Sequence, residues 1–242
     1  MNFLKKSVCI LLCAAFLLAA VSCREKDGEA PSHDLVELER EEYPDCITRG
    51  GEFPESQTNP EDFTDPYIVH SDDNCIITVS ADYSSHVKIF SDGGRLLLEH
   101  VFDLPLLPRI EPFGEDILML SSDYGACKNP FVFIDTKSER LSPVFSDICT
   151  YNSFDKLIAY VSTDTDDPKE TQYLVIRDIF DTDVYCKVFR LPYAKIANPV
   201  IASSFYGNDY FELTYLAGND PENLDRYHKR ITLSPITTVY ES

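Results

Sequence analysis

Three segments of the chain repeat one pattern at one spacing, and this limits the available folds more than any other feature. Ile76-Ile77-Thr78-Val79-Ser80-Ala81-Asp82 is echoed by Ile117-Leu118-Met119-Leu120-Ser121-Ser122-Asp123, and again by Ile158-Ala159-Tyr160-Val161-Ser162-Thr163-Asp164. Both steps are 41 residues. A fourth copy, Leu213-Thr214-Tyr215-Leu216-Ala217-Gly218-Asn219, follows after 55, so an insertion precedes it. A short strand and turn lead into each copy, as at 67–71 and 148–153. A loop and another strand follow, at 87–90, 131–134, 173–176 and 228–233.

The residues between these copies read as strands. After Tyr67, short runs rich in Ile, Val, Tyr, Phe and Thr alternate with Gly, Asp, Asn and Pro, the signature of an all-β meander. Apolar residues do not recur with the helical period. Asp92-Gly93-Gly94 marks a hairpin, and Gly114-Glu115-Asp116 and Gly207-Asn208-Asp209 mark two further turns. Four strands in 41 residues is the length of one propeller blade.

Over residues 67–242 the chain resembles the β-propeller lipoproteins of Bacteroidota. The resemblance implies about four four-stranded blades, with a β-sandwich as the alternative arrangement of the same hairpins. It also implies that Ile76, Ile117 and Ile158 occupy equivalent positions in successive sheets and are buried alike.

The first 22 residues have the make-up of an export signal. Lys5 and Lys6 precede an apolar run from Val8 to Ala20, and small residues lead into Cys23. Ala20-Val21-Ser22-Cys23 resembles the bacterial lipobox, with Ala20 where that pattern prefers Leu. The resemblance implies cleavage before Cys23, lipid (palmitate-type acyl chains) on Cys23, and a protein anchored in the cell envelope outside the cytoplasm. Residues 23–66 then read as a flexible tether, with eight Glu or Asp from Glu25 to Glu42 and prolines at 31, 44, 54 and 60. Acidic residues behind the cysteine also resemble the surface-export signals of some Bacteroidota lipoproteins, although Arg24 and Lys26 interrupt them.

Charge narrows the partners. The chain has 21 Lys and Arg against 41 Asp and Glu, a net −20, and loss of Lys5 and Lys6 with the signal leaves −22. Such a surface repels phosphate backbones, so nucleic acid is not expected as a partner. A basic protein face, a divalent cation or a glycan is favoured. Cys46, Cys75, Cys127, Cys149 and Cys186 follow the lipid-bearing cysteine without C-x-x-C spacing, and read as buried small hydrophobes.

No catalytic motif is evident. There is no G-x-S-x-G, and Ser153-Phe154-Asp155-Lys156 is an S-x-x-K in a turn rather than at a helix start. His33, His70, His86, His100 and His228 stand singly, which provides no zinc set, and Gly-rich phosphate loops are missing. Asp164-Thr165-Asp166-Asp167-Pro168 fails the EF-hand pattern at Lys169 and Val175. No metal or cofactor is expected. The expected function is therefore non-catalytic recognition or scaffolding, with an envelope glycoside hydrolase or lyase using a carboxylate pair as the alternative.

The binding face expected from the repeat is acidic. Asp82, Asp123 and Asp164 end the second strand of each copy, and Asn219 with Asp220 takes that place in the fourth. Asp166, Asp167, Glu222 and Asp225 add charge from two longer loops, and Tyr83 and Tyr124 add contact area. Aspartate at a strand end also caps its own turn, which fixes it in place with its charge facing solvent.

Overall fold

The computed structural model describes residues 33–49, 51–53, 55–103, 108–122, 129–146 and 148–233. The leader, Cys23, Asp123, Tyr124 and Cys127 lie outside the described residues. The chain enters through β1 (Val36–Glu37) and the short helix α1 (Asp45–Arg49). Fifteen further strands then form four small antiparallel sheets.

The first sheet is β2 (Tyr67–Ser71), β3 (Cys75–Val79), β4 (Ser85–Phe90) and β5 (Leu96–Phe102). The second is β6 (Arg109–Pro112), β7 (Ile117–Ser121), β8 (Phe131–Asp135) and β9 (Arg140–Leu141). The third is β10 (Ile148–Asn152), β11 (Leu157–Thr163), β12 (Gln172–Asp178) and β13 (Cys186–Arg190). The fourth is β14 (Val200–Tyr206), β15 (Tyr210–Ala217) and β16 (Asp225–Thr232). Every sheet is a meander with its strands in chain order, and β1 adds a fifth strand beside β13. The repeated segments begin or lie within β3, β7, β11 and β15, the second strand of each sheet.

Turn chemistry closes the hairpins where the sequence places it. Gly94 adopts φ +79° between β4 and β5, and its N–H donates to Ser91 O at 2.8 Å. Gly207 adopts φ +58° between β14 and β15. Glycine takes this left-handed region without a Cβ clash. The first strand of the first, third and fourth sheets carries a register shift, at 68/70, 148/150 and 200/202; β6 pairs without one.

Three apolar layers join the four sheets in series. Cys75, Ile77, Val79, Val87, Ile89 and Phe102 of the first sheet meet Leu120, Val132 and Ile134 of the second. Ile117, Met119 and Phe133 of the second meet Ile158, Tyr160, Tyr173 and Val175 of the third. Leu157, Ala159, Leu174 and Ile176, on the third sheet's other face, meet Phe211, Leu213, Tyr215 and Ile231 of the fourth. Burial follows this order. β11 and β12 are buried in continuous runs, because both their faces are covered, whereas β3, β4 and β15 alternate buried and half-buried residues. This is blade-like stacking; a two-sheet sandwich would leave one face of each sheet to solvent. Among the described residues no apolar layer joins the fourth sheet to the first.

Two expectations need correction. Ile76 is half-buried, while Ile117 is 4% and Ile158 0% exposed. Cys75, Ile77 and Val79 face the second sheet, so Ile76 points away from it. Ile117 points toward the third sheet, and Ile158 back toward the second. The second copy is thus one residue out of phase, and a one-residue shift turns a side chain to the opposite face.

Part of the segment read as a tether belongs to the packed unit, which begins at Asp34. β1 pairs with β13, Leu38 N–H donates to Val188 O at 2.9 Å, and Gly51 bridges Val144. Leu38 and Ile47 sit in the layer between the second and third sheets, with Ile47 fully buried. A side chain of that size buried from water contributes about 1.5–3 kcal/mol.

Candidate binding surfaces

Among the described residues, the loops after β3, β11 and β15 carry Asp82, Asp164 and Asp220, and each of these aspartates organises its own turn. Asp82 accepts a hydrogen bond from Ser84 N–H at 3.1 Å, and Asp164 accepts one from Asp166 N–H at 3.1 Å. Asp167 accepts from Lys169 N–H at 3.0 Å and from the Thr171 hydroxyl. Asp220 accepts from Glu222 N–H at 3.1 Å and from the Asn223 side-chain amide at 2.6 Å. These donors stabilise the ionised form. The Ser84 N–H holds the Asp82 carboxyl below its ordinary value, the Thr171 hydroxyl does so for Asp167, and the Asn223 amide for Asp220. Asp167 therefore belongs to the turn-holding set with Asp82, Asp164 and Asp220.

Asp166, Glu222 and Asp225 are exposed and leave the turn bonds to these neighbours. Asp166 and Glu222 lie on two loops, and Asp225 opens β16 directly after the second; both loops flank one connection, the segment between β13 and β14. Gln172 donates to Ala197 O at 2.7 Å, Gly218 N–H donates to Tyr193 O at 2.9 Å, and Ala194 bridges Gly218. The acidic loops of the third and fourth sheets therefore share a support. Asp82 and the exposed Tyr83 hang instead on the segment before β2, where Ala81 N–H donates to Thr64 O at 2.9 Å.

An open cleft of about 600 Å³ lies between the outer strands of the first and second sheets, lined by Glu52, Phe53, Glu55, Ser56, His100 and Ser142 among others. His100 packs tilted against Phe53, at 4.8 Å, and edge-on to Phe102, at 4.6 Å. Its Nε2 is buried without a hydrogen-bond partner, and burial lowers its pKa. The 55–58 segment is tied down by Asp103, which accepts from Ser56 Oγ at 2.7 Å and from Gln57 N–H at 2.6 Å. Sequence reasoning missed this cleft, because His100 and Phe53 are 47 positions apart and neither belongs to a motif. A smaller hollow, near 370 Å³, opens at the other end of the third and fourth sheets beside Phe154, which is 87% exposed.

Among the described residues, the carboxylates with displaced pKa values, Asp72, Asp82, Glu99, Asp103, Asp167, Glu212 and Asp220, are displaced downward. A glycosidase general acid needs the opposite shift. Among the described residues no three His, Cys, Asp or Glu side chains form a metal-binding group, and no helix is long and apolar enough to cross a membrane. Cys46, Cys75 and Cys186 carry free thiols, and burial raises the pKa of each. No protein-family model, curated protein or solved structure matches the chain.

Proposed function

We propose that the chain is a membrane-tethered, non-catalytic recognition or scaffold lipoprotein of the cell envelope, anchored by lipid at Cys23 and binding a cationic partner through its acidic loops. One observation carries this reading. The loops at 164–171 and 218–224 are each held by their own aspartates and braced by the same connecting segment, so exposed Asp166, Glu222 and Asp225 form a fixed charged surface. Fixed charge of one sign steers an oppositely charged partner and makes association sensitive to salt.

Photocrosslinking in the native envelope tests the reading. A crosslinker at exposed Pro168 should give a discrete adduct, whereas one at Asn208, at the opposite end of its sheet, should not. The Pro168 adduct should fade as salt rises and when Asp166→Asn, Glu222→Gln and Asp225→Asn are combined. Equal adducts from both positions, or an adduct indifferent to the triple substitution, would overturn it.

A further inference from the structure

The two ends of the sheet stack differ in charge. On β16, Tyr227 and Ile231 face the third sheet, so the alternate residues Arg226, His228 and Arg230 face outward. Arg226 and Arg230 thus lie on that outer face, while Lys229, opposite Leu213, lies on the other. Arg230 bonds Glu212 at 2.8 Å and lies 4.4 Å over the Tyr210 ring, which stacks on Tyr206. The outer face of the fourth sheet therefore carries Arg226 and Arg230 against Glu212, a net positive and aromatic surface on a protein of net charge −20.

The outer face of the first sheet is the reverse. His86 and Lys88 point outward there and are both spent on Glu99, at 2.7 and 3.4 Å. Phe63 stands edge-on to His86 at 6.1 Å and brings the 59–65 segment to that side, with exposed Glu61, Asp62 and Asp65. Both faces also leave apolar residues in water. Ile68 is 64% exposed on the first, and Tyr206 is 46% exposed on the fourth.

We propose that two copies of this chain associate head to tail as a reciprocal pair, the fourth sheet of each lying on the first sheet of the other. Charge complementarity selects this arrangement, because either face against its own copy would set like charges together. Area selects the pair over an open chain. A three-stranded face of eight-residue strands covers about 350 Å² at usual strand spacings. Two such faces per copy give about 700 Å², close to the ~800 Å² per partner of specific interfaces, whereas one alone falls well short. The product is a ring of eight sheets, within the known range for propellers. The inference is independent of the acidic-loop reading, which uses other residues.

Sedimentation equilibrium of the detergent-solubilised full chain tests it. The wild-type chain should move from monomer to dimer between about 1 and 100 μM, and rising salt should shift the transition upward. Reversing the basic face (Arg226→Glu with Arg230→Glu) or the acidic one (Glu61→Lys, Asp62→Lys and Asp65→Lys) should weaken self-association at least about tenfold. Mixing the two variants should restore a one-to-one dimer, since each keeps the face that the other's reversal matches. If losing the Arg230–Glu212 pair unfolds the sheet, Arg226→Glu with Arg230 kept replaces it. A wild-type monomer throughout, reversal variants that dimerise normally, or a mixture that stays monomeric would each overturn the proposal.

Discussion

Ile117 and Ile158 lie on opposite walls of the same apolar layer, one from the second sheet and one from the third. Replacing either with Ala removes buried volume from a layer that cannot collapse freely, and should lower stability by about 2–5 kcal/mol in urea unfolding. Ile76→Ala, on the half-buried outer face of the first sheet, should lose clearly less. The double Ile117/Ile158 variant should depart from additivity, because both residues share one layer. Equal losses at all three positions would contradict this assignment of faces.

Ile47 tests whether the N-terminal segment is part of the packed unit. Its side chain is fully buried, and its carbonyl accepts from the Tyr160 hydroxyl at 3.4 Å. Ile47→Ala should destabilise by about 2–4 kcal/mol. A segment that merely linked the domain to an anchor would show no change in the unfolding midpoint.

His100 sets a pH dependence. Burial disfavours its charged form, so its folded pKa lies below the roughly 6.5 of an unfolded histidine. The unfolded chain then binds the extra proton in the window beneath 6.5. Stability from neutral His100 is full above that pH and falls as pH drops through the window. The depressed carboxylates act lower, near and below about pH 4. His100→Phe should flatten the stability profile just below about pH 6.5, as read by thermal melts, and leave the more acidic carboxylate limb in place.

The thiols give a chemical readout. Burial pushes Cys75 up to about 12 and Cys186 up to about 11. Since the thiolate is the reacting species, iodoacetamide at pH 8 should label both at least about a hundredfold more slowly in native protein than in urea. Peptide mapping by mass spectrometry would resolve each site.

Lipid at Cys23 is tested by metabolic labelling with an alkyne-bearing palmitate. The wild-type chain should take up label, and Cys23→Ser should take up none and leave either an uncleaved precursor or a freely secreted protein. A processed Cys23→Ser protein that still partitions into detergent would remove the lipoprotein reading.

The repeat was legible because each sheet reuses one strand pattern, and the terminal sheets even show their position in the letters. Ser85-His86-Val87-Lys88-Ile89 and Phe211-Glu212-Leu213-Thr214-Tyr215 alternate, while Leu157-Ile158-Ala159-Tyr160-Val161 does not. Matching Ile117 to Ile76 preserved the letters and lost the pleat, since a string such as Ile-Leu-Met-Leu fits either phase. Leu38, Ile47 and Phe53 were hidden for a different reason. Each lies in a short apolar stretch broken by acids and prolines, and its burial depends on strands more than 40 positions away. The aspartate turns were readable because an Asx bond spans only two or three residues. The His100 cleft was not, because tertiary packing alone assembles it.

The pairing of β1 with β13 shortens the leash on the whole protein. With lipid on Cys23, thirteen peptide steps reach Val36, so that strand can rise at most about 45 Å from its anchor, however residues 24–33 are arranged. Forty-four steps, to Tyr67, would have allowed roughly 150 Å. Under the proposed anchoring at Cys23, the domain would be held close above the bilayer, where it would meet objects lying on that membrane rather than ones spanning the distance to the next.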